Sequence, residues 1–529
     1  MCGIFSYKGS KHSWDSLAGD INLMSYRGPE NTHHEMAGDD VLFAFHRLAI
    51  MGTTEKGDQP MKHPQDDSLT LVCNGEIYNY KKLADKYGFS LITGSDCEII
   101  LCMFKQFGIE KTVEELDGVF MFVIHDSKTG KLFAGRDPMG VRPGFIGRDG
   151  NEIMIASEAK PLVKHCSEIL PFKPGTWWCS DDSEIFNQYF HYNGVSIREK
   201  TEEDICNKIQ ILLKEAVKKR LMAEREIGCL LSGGLDSSLI TSLVAKYYQG
   251  PKLNTFSIGL PGSVDLEYAQ RVADYLGTAH HQVEVSEVEF LDAIETVIYT
   301  IESFDTTTVR ASVGNYLVSK FISENSNCKV IFNGDGADEV CCGYVYLKNT
   351  PSPSALQNES ERLVEEIHYF DVLRSDRSIS SNGLEARTPF LDKAFVKYYL
   401  SIPPELKTFD GTRRLEKNLL RKAFDNNEIL PDDVLWRRKC AFSDGVSSMK
   451  KSWHHIIQLF VDQKISDEEF QRESIKITHC TPVLKESYYY RKVFESYFGK
   501  NEKLIPHFWM PKWIDVLDPS ARELEDYRE

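Results

Sequence analysis

The segment that decides the fold of the C-terminal half is 227–238, which reads IGCLLSGGLDSS. Its first five residues form an apolar run typical of a buried strand, and residues 239–248 predict a helix. The turn between them contains two glycines, three serines and Asp236. A Gly-rich turn that enters a helix presents free backbone N–H groups and the positive end of the helix dipole, which together bind phosphate. The segment therefore predicts a strand, a phosphate loop and a helix in succession.

The polar side chains of this loop suit a phosphate with its metal ion. Ser232, Ser237 and Ser238 add hydroxyl donors, and Asp236 is a hard oxygen ligand for magnesium. No Gly-Lys-Ser or Gly-Lys-Thr follows, so the loop is not a Walker A loop. The alternative is a plain turn with capping serines, but two glycines, an acid and three hydroxyls exceed what a helix cap needs.

A second Gly-rich loop, 333–339 (NGDGADE), follows another apolar strand. Ligands of an open parallel sheet gather at the carboxyl ends of its strands, so both loops are expected to face one nucleotide. Asp335, Asp338 and Glu339 suit magnesium binding and proton transfer. Taken alone, this loop is also compatible with a solvated acidic turn.

Strands and helices alternate from about residue 200, which predicts a parallel sheet covered on both faces. Between the second and third strands, apolar residues form one helical stripe that ends at Gly277, so this stretch predicts a βαβ crossover. A long helix is expected before the sheet, and a loop-rich stretch with two prolines, 349–359, is expected after it. The predicted strands are 227–231, 254–260, 281–285 and 329–333, and the long helix is 201–222.

The chain up to about residue 190 predicts sheet layers with helices packed outside them. Short stretches rich in β-branched and aromatic residues alternate with turn residues, and two stretches have apolar residues at helical spacing. The stretch 173–200, with its proline, glycine and acidic residues, is the expected boundary between the two halves. The predicted strands are 41–50, 69–72, 119–125, 131–134 and 152–156, and the predicted helices are 80–87 and 96–107.

Composition limits the class of protein. A chain of 529 residues suggests about three domains or two large ones. The 62 basic and 79 acidic residues give a net charge of −17, so nucleic acid and anionic membrane are poor partners. No apolar run approaches the ~20 residues that span a bilayer, and the start lacks the features of a signal peptide, so a cytoplasmic location is expected. Thirteen cysteines without a CxxC pair or a zinc-like cluster are expected to be mostly reduced.

Cys2 is a candidate nucleophile. Removal of Met1 would leave an α-amino group, with a reference pKa of about 7.7 to 8.0, beside the Cys2 thiol, and that amine can act as a base. Asn74 and Gly75 could offer a side-chain amide and a backbone N–H to an oxyanion, or could form a type I′ hairpin turn. Alone, Cys2 is also compatible with an ordinary cysteine.

A pocket with charges of both signs is expected around Cys2. Arg47 could hold a carboxylate bidentately, and Asp96 could receive an ammonium group. Such a pocket suits an α-amino acid.

These motifs together resemble a known family. The first half resembles class II glutamine amidotransferase domains, and the loop at 232–238 resembles that of the ATP pyrophosphatase fold. In this order, and over nearly the whole chain, they resemble the glutamine-hydrolysing asparagine synthetases. The segments that carry the first resemblance are 1–5 (MCGIF), 26–29 (YRGP), 46–50 (HRLAI), 59–60 (QP), 74–76 (NGE) and 94–96 (GSD), and those that resemble the animal-type branch are 506–514 (PHFWMPKWI) and 518–522 (DPSAR).

The resemblance implies an α/β protein of two domains. A four-layer αββα N-terminal-nucleophile glutaminase domain would occupy 2–190, and a doubly wound parallel-sheet ATP pyrophosphatase domain with extra C-terminal helices would occupy 200–529. Glutamine would be hydrolysed to glutamate and ammonia. ATP with Mg²⁺ would activate aspartate as β-aspartyl-AMP with release of pyrophosphate, and ammonia would displace AMP to give asparagine. Ammonia released at the glutaminase site would have to reach the synthetase site through a passage that excludes water. The partners would be small molecules, and a homodimer is compatible with the family.

The resemblance also implies residue roles. Cys2 would attack the glutamine amide while Asn74 and the Gly75 N–H hold the oxyanion, and glutamine would be bound by Arg47, Leu48, Ile50, Asn74, Gly75, Glu76 and Asp96. ATP would be bound by Leu231, Ser232, Gly234, Asp236, Ser237, Ile258, Asn333 and Gly334, and Mg²⁺ by Asp236 and Asp338. Lys439 would lie near the phosphates, and Thr307, Thr308 and Arg310 match a segment linked to aspartate and the reaction intermediate.

The second loop departs from the family pattern, which is usually Ser-Gly-Glu-Gly-x-Asp-Glu. Asn333 replaces the serine, and Asp335 replaces the glutamate expected to serve as the base or organiser of amination. The Asp335 side chain is one carbon shorter, about 1.5 Å of reach, and a misplacement of about 1 Å can reduce a rate on the order of a hundredfold. A vicinal cysteine pair, Cys341 and Cys342, is also unusual after this loop.

The departures at Asn333 and Asp335 leave two interpretations open. The change is either tolerated through a compensating backbone shift, or it leaves a nucleotide- or glutamine-binding regulatory protein with impaired turnover. A further alternative keeps the architecture but changes the acceptor acid, as in relatives that close β-lactam rings. Those relatives lack a working nucleophile at position 2, so Cys2 argues against that branch.

Overall fold

The structure, a computed structural model, describes residues 1–182, 186–192, 197–199, 201–425, 429–439 and 453–519. The chain forms two compact units. The first comprises Met1–His191 with two short later segments, Met222–Arg225 and Ser380–Glu385, and the second comprises the remainder. The first unit therefore includes residues that lie far beyond position 190.

The first unit contains two six-stranded antiparallel sheets. One has the order β10-β8-β9-β1-β3-β2 and the other β12-β11-β7-β6-β5-β4. The strands are β1 (Gly3–Lys8), β2 (Asn31–Met36), β3 (Val41–Arg47), β4 (Met61–His63), β5 (Asp66–Ile77), β6 (Gly118–Asp126), β7 (Lys131–Arg136), β8 (Phe145–Asp149), β9 (Glu152–Ala156), β10 (Glu168–Pro171), β11 (Thr176–Cys179) and β12 (Asn187–Gln188).

Helices cover the outer faces of these sheets. Residues such as Ile4 and Phe43 of the first sheet and Met121 of the second form the core between the sheets. Helices α2 (Tyr80–Tyr87) and α3 (Glu98–Glu115) pack on the other face of the second sheet. Helix α1 (Trp14–Ile21) and the 3₁₀ turn that follows it accompany the first sheet. The result is the four-layer αββα arrangement that the resemblance implied.

The five strands and two helices predicted for this unit are present with shifted ends, and one interpretation was wrong. Asn74 and Gly75 do not form a turn, because they lie inside β5 opposite Met121 and Phe120 of β6. Pairing with a long neighbouring strand therefore overrides local turn chemistry there. The stretch 173–200 supplies β11 and β12 to the second sheet, and the two units divide within it, between His191 and Tyr192. The predicted strand 41–50 ends at Arg47.

The second unit contains a parallel sheet with the order β15-β14-β13-β16-β17. Its strands are β13 (Glu226–Leu230), β14 (Asn254–Gly259), β15 (Ala279–Glu284), β16 (Cys328–Phe332) and β17 (Glu385–Arg387), and the first four run parallel. The strand order reverses between β13 and β16. In a doubly wound sheet this switch point is where ligands bind.

Helices wind around this sheet on both faces, and further helices follow toward the C terminus. Among the described residues they are α4 (Glu202–Arg220), α5 (Leu235–Tyr247), α6 (Val264–Leu276), α7 (Glu287–Ile301), α8 (Thr306–Asn325), α9 (Ala337–Val340), α10 (Pro353–Glu366), α11 (Asp371–Ser380), α12 (Lys393–Ser401), α13 (Pro404–Lys407), α14 (Asn418–Phe424), α15 (Asp432–Leu435), α16 (Trp453–Lys464), α17 (Asp467–Ser474) and α18 (Lys485–Phe498). Helices α5 and α6 contact each other and their strands, and α8 packs against α7, β14 and β16.

The βαβ pattern predicted for this unit is confirmed, with two corrections. Helix α6 ends at Gly277, whose left-handed backbone (φ 68°) closes the helix as predicted. Helix α5 begins at Leu235 rather than at 239, so Asp236 and Ser237 lie in its first turn. The stretch 349–359 is not a loop, because Ser352 caps helix α10 and Pro353 occupies its first position.

Three further properties concern the whole described chain. Within the described ranges, no helix is both long and apolar enough to cross a lipid bilayer. The twelve described cysteines are free thiols. The sequence 437–445 (RRKCAFSDG) contains Lys439, and its residues 440–445 lie outside the described residues. Residues 520–522 of the C-terminal segment 518–522 also lie outside them.

Candidate active sites

A pocket in the first unit contains Cys2 at the start of β1. The Cys2 backbone N–H donates to Asn74 Oδ1 at 3.0 Å, and its thiol lies 3.6 Å from the Leu48 carbonyl oxygen. Arg27 donates to the Cys2 carbonyl oxygen at 3.1 Å and pairs with buried Glu158 at 2.9 Å. Cys2 is thus held from three sides while its thiol faces the pocket.

The Asn74 side chain has an unused donor beside the thiol. Asn74 is fully buried, and its Oδ1 is taken by Cys2, but its Nδ2 has no acceptor among the described residues. A buried amide without a partner is rare and points to a ligand oxygen. Next to a nucleophile, such a donor suits a developing oxyanion. Gly75 is required here because a Cβ would lie 2.5 Å from the Val119 carbonyl oxygen.

Charged side chains of both signs line the same pocket. Arg47, Glu76 and Asp96 are all buried and reach it, together with Leu48 and Ile50. Arg47 donates to the carbonyl oxygens of Thr54 at 3.0 Å and Gly52 at 2.5 Å, and pairs with Asp58. Asp96 accepts from the Ile77 N–H at 2.5 Å. The pocket can therefore receive both ends of an α-amino acid.

The electrostatics of Cys2 favour a neutral thiol at rest. Burial raises the pKa of the Cys2 thiol, and the positively charged amino terminus opposes this effect. A base must therefore take the proton as the sulfur attacks.

The cavity of the second unit lies at the carboxyl ends of β13 and β16, the neighbouring strands between which the strand order reverses. The two Gly-rich loops meet there, because a Cβ on Gly334 would lie 2.8 Å from the backbone of Asp236 and Ser237. The residues predicted for ATP all line this one cavity: Leu231, Ser232, Gly234, Asp236, Ser237, Ile258, Asn333 and Gly334.

The first loop forms a polar cradle at the start of α5. The Ser232 and Ser237 hydroxyls lie 2.9 Å apart, and the Ser232 N–H donates to Ser237 Oγ at 3.1 Å. Gly233 has a left-handed backbone (φ 73°), which lets the chain turn into the helix. Hydroxyls and helix N–H groups therefore converge on one point, as phosphate binding needs.

Two lysines neutralise the predicted metal ligands. Lys417 Nζ lies 2.5 Å from both Asp236 Oδ2 and Asp338 Oδ1, and Lys439 also pairs with Asp338. Burial alone would raise the pKa of Asp338, but Lys417 and Lys439 hold it well below its usual range. Asp236 Oδ1 has no hydrogen-bond partner among the described residues. Two neighbouring carboxylates, one with a free oxygen, fit the ligand preference of Mg²⁺.

Helix α11 holds the two unusual residues of the second loop. Asp335 Oδ1 accepts from Arg374 at 3.1 Å, and Arg374 also pairs with Asp371 at 3.2 Å. Asn333 donates to Ser375 Oγ at 2.7 Å. Burial raises the pKa of Asp335, and Arg374 opposes that rise. The shorter acid therefore has a fixed partner.

The three residues predicted in segment 307–310 lie in different surroundings. Thr307 lines the cavity, and its hydroxyl has no partner among the described residues. Thr308 instead lies in the first turn of α8, where its N–H and hydroxyl donate to the carboxylate of the N-cap residue Asp305 at 2.8 and 2.7 Å. Arg310 lies at the cavity wall, where its guanidinium donates to Glu486 and Asp518 at 2.8 Å. This geometry favours a positioning role for Arg310 over direct substrate contact.

The sequence did not indicate several charged residues of this cavity. Lys417, Asp371 and Arg374 line it, and so does Tyr344, whose hydroxyl donates to Glu339 at 2.6 Å. Arg437 lines it as well, donating to Asp265 at 2.9 Å. Arg437 lies in the motif that contains Lys439, whereas the other four lie outside the motifs and carried no sequence signal beyond their polarity.

Comparisons with known proteins agree with this pair of sites. The family model described as "Asparagine synthase" matches residues 208–355 and 347–517, and the model described as "Glutamine amidotransferase domain" matches residues 1–203. "Asparagine synthetase [glutamine-hydrolyzing]" of Rattus norvegicus is 43% identical over 517 residues, covering 92% of this chain and 91% of the rat protein. The chain belongs to the glutamine-hydrolysing asparagine synthetase family.

The human member of this family gives the same result. It is 43% identical over 516 residues, with 92% of this chain and 91% of the human protein covered. The resemblance to the animal-type asparagine synthetases is therefore confirmed. A solved structure titled "Structure of the allosteric regulatory enzyme of purine biosynthesis" has a TM-score of 0.32 at 14% identity, covering 54% of this chain and 80% of that one, which is too slight a likeness to support an argument.

Proposed function

We propose that the chain makes asparagine from aspartate, with glutamine as nitrogen donor and ATP as the activating substrate. The observation that carries this proposal is that one chain brings together candidate groups for both reactions. The first unit has a thiol beside an unused buried amide donor, and the second has a Gly-rich loop whose Asp236 shares Lys417 with Asp338. Family membership supports the same reaction.

In the first unit, Cys2 attacks the side-chain amide carbon of glutamine. The α-amino group freed by loss of Met1 takes the thiol proton and passes a proton to the departing ammonia. Asn74 Nδ2 and the Gly75 N–H hold the oxyanion. Water then cleaves the thioester to release glutamate. The side chains that hold glutamine are Arg47, Glu76 and Asp96, with Leu48 and Ile50 beside them.

In the second unit, the cradle of Ser232, Gly234 and Ser237 binds the ATP phosphates at the start of α5. The nucleotide lies beside Leu231, Ile258, Asn333 and Gly334. Asp236 and Asp338 would hold Mg²⁺, which neutralises phosphate charge when bound. Lys417 and Lys439 add fixed positive charge where pyrophosphate leaves.

The acceptor chemistry follows from this charge distribution. The β-carboxylate of aspartate attacks the α-phosphorus, pyrophosphate leaves, and β-aspartyl-AMP forms. Ammonia then attacks the activated carbonyl carbon, loses a proton, and displaces AMP. We assign Asp335 as the group that accepts this proton or orients the nucleophile, because it lines the cavity and is held by Arg374. Arg310 positions the cavity wall.

The proposal also includes the cellular location, the partners and the oligomeric state of the enzyme. The reduced state of the twelve described cysteines supports a cytoplasmic enzyme. The substrates are small molecules, and no nucleic-acid or membrane partner is proposed, because the net charge of −17 repels anionic partners. A homodimer is proposed from the family resemblance alone.

A product assay on the full chain tests this function. Aspartate and Mg-ATP are supplied with glutamine in one reaction and with ammonium in the other, and asparagine, AMP and glutamate are quantified. We expect asparagine and AMP in equal amounts in both reactions, and glutamate only with glutamine. A reaction without aspartate is the control. Absence of AMP and asparagine with both nitrogen sources would contradict the proposal and favour the regulatory alternative.

A further inference from the structure

Two cysteines besides Cys2 line the glutaminase pocket of the first unit. Cys73 lies on β5 directly before Asn74, and Cys97 follows Asp96 as the N-cap residue of α3. Both side chains are buried in the same hydrophobic cluster. The proposed hydrolysis of glutamine uses neither thiol, although each cysteine is the chain neighbour of a residue of that site.

The two thiols lie side by side. Side chains of a strand alternate between its faces, so Cys73 and Gly75 share one face of β5. The Cys97 thiol lies on this stretch of strand, 3.7 Å from the Gly75 carbonyl oxygen. A hydrogen bond with the Cys73 thiol, and then burial, raise the pKa of the Cys97 thiol well above its usual range. The Cys73 and Cys97 sulfurs are therefore direct neighbours.

The cysteine pair connects two segments of the glutamine pocket. Through Cys73 it is continuous with Asn74 and Gly75, the proposed oxyanion donors, and through Cys97 with Asp96. A covalent bond between the sulfurs is shorter than their hydrogen-bonded contact, so its formation would draw the two segments together. The backbone at Gly75 already packs too closely against β6 to admit a Cβ atom. A displacement of about 1 Å in such a site can reduce a rate on the order of a hundredfold.

We infer that Cys73 and Cys97 form a reversible redox site, in which hydrogen peroxide joins the two thiols in a disulfide and thereby stops glutamine hydrolysis. Both cysteines line the pocket, so a molecule as small as hydrogen peroxide can reach them through it. Cys97 keeps its proton, so Cys73 is the thiol that reacts first.

The reaction takes two steps and consumes one peroxide. The Cys73 sulfur attacks a peroxide oxygen, the O–O bond breaks, and a sulfenic acid forms with release of water. The Cys97 sulfur then attacks the Cys73 sulfur, the S–O bond breaks, and a second water leaves with the Cys97 proton. The two sulfurs together lose two electrons, and the peroxide is reduced to two waters. A dithiol reverses the reaction by exchange.

Oxidation would change which nitrogen source the enzyme can use. Both cysteines belong to the first unit, so their disulfide should leave ammonium-dependent chemistry in the second unit unchanged. Disulfides in a reducing compartment are usually transient and catalytic or redox-sensing, which agrees with a bond that forms and is reduced again. The oxidised enzyme would therefore use ammonium and not glutamine.

Peptide mapping of the full chain tests the disulfide directly. Trypsin places Cys73 in peptide 63–81 and Cys97 in peptide 87–105. After brief treatment with a small molar excess of hydrogen peroxide, we expect these peptides to be linked, with the loss of two hydrogens, and to separate in dithiothreitol. Cys102 lies in the same peptide as Cys97, so Cys102→Ala is the control and should give the same linked pair. A disulfide to Cys2, or no link between the two peptides, would overturn the inference.

Glutamine hydrolysis measures the consequence of the bond. Peroxide should lower kcat for glutamate release by about a hundredfold, and dithiothreitol should restore it. Ammonium-dependent AMP formation should stay within about twofold, because the second unit is a separate site.

Two variants separate the pair from the nucleophile. Cys97→Ser keeps a hydroxyl that can donate to the Gly75 carbonyl oxygen but cannot form the disulfide, so peroxide should lower its glutaminase rate by less than about threefold relative to its own untreated sample. Cys73→Ser should behave in the same way. An equal, peroxide-dependent loss in both variants would assign the inactivation to Cys2 and overturn the inference. Failure of the proposed function is distinct, because the linked peptides would then still form in a chain that hydrolyses no glutamine.

Discussion

The two candidate sites of this chain are built in different ways. The glutaminase pocket fixes Cys2 through the Asn74 side chain, the Leu48 carbonyl oxygen and the Arg27 guanidinium, all from the first unit. The synthetase cavity depends on ion pairs between distant segments, such as Asp236 with Lys417, 181 positions apart. In the glutaminase pocket, fixed dipoles need to stabilise only the single negative charge of the transition state. In the synthetase cavity, ion pairs must balance the charges of several phosphates and a metal ion. The comparison predicts that substitutions should affect each site independently and to different extents.

Loss of the nucleophile should have the largest effect. Cys2→Ala removes the only atom that forms the thioester, so glutamine-dependent glutamate release should fall by more than about a thousandfold. Ammonium-dependent AMP formation should stay within about twofold, because the second unit keeps all its groups. Both rates are measured on the same preparation. A comparable loss of the ammonium-dependent rate would show that the sites are not independent.

The unused amide of Asn74 gives the next largest effect. Asn74→Asp keeps the acceptor for the Cys2 N–H but removes the free donor, so kcat for glutamine hydrolysis should fall by about 10²–10³ with little change in KM. Asn31→Asp, on an exposed strand, is the matched control. An unchanged kcat would remove Asn74 from the oxyanion site.

Charge removal should weaken the second site selectively. Lys417→Met leaves Asp236 and Asp338 without their shared cation, and we expect AMP formation to fall by about a hundredfold while glutamine hydrolysis stays unchanged. Lys422→Met, in an exposed pair with Glu202, is the control. If glutamine hydrolysis fell equally, Lys417 would support the fold of the chain rather than the charge of one site.

The smallest effect concerns the support of the second loop. Leu391 packs against Gly336, and its neighbour Asp392 pairs with Arg220 at 2.7 Å and with Lys219. Burial alone would raise the pKa of Asp392, but these cations lower it from 3.8 to about 2. Because the folded-state pKa is depressed, the stabilisation is complete above about pH 4 and is lost as the pH falls through about 2.

This linkage gives a measurable stability change. At pH 7, Asp392→Asn should lower the free energy of unfolding of the second unit by about 2 kcal/mol, and the difference from the unmodified chain should shrink as the pH falls toward 2. Urea unfolding at several pH values measures it. A difference independent of pH would mean that the helix cap at Asp392, rather than its charge, carries the effect.

The sequence predicted some residues of the two sites and missed others for a physical reason. The thiol at position 2 and the loops at 232 and 333 lie in short motifs with local chemistry, and the resemblance of these motifs to the family indicated their roles. Asn74 was identified, but its place inside β5 was not, because pairing with β6 is a long-range interaction. Lys417 and Arg374 reach their partners only through the fold, so no single-sequence pattern could place them.

The same limit applies to the departures from the family pattern. The shorter side chain of Asp335 suggested that its carboxylate would not reach the position of the family's glutamate. In the structure, Arg374 of α11 donates to Asp335, and Ser375 of the same helix accepts from Asn333. Compensation of this kind comes from a helix about 40 positions away and is invisible in the loop itself.

The most direct test of the account follows the nitrogen atom. The full chain is supplied with aspartate, Mg-ATP and glutamine labelled with ¹⁵N in its amide, and asparagine is analysed by mass spectrometry against the AMP formed. The account predicts one labelled amide per AMP, and no labelled product from Cys2→Ala. AMP without labelled asparagine, or equal labelling from Cys2→Ala, would contradict the claim that Cys2 in one unit supplies the nitrogen that the other unit transfers.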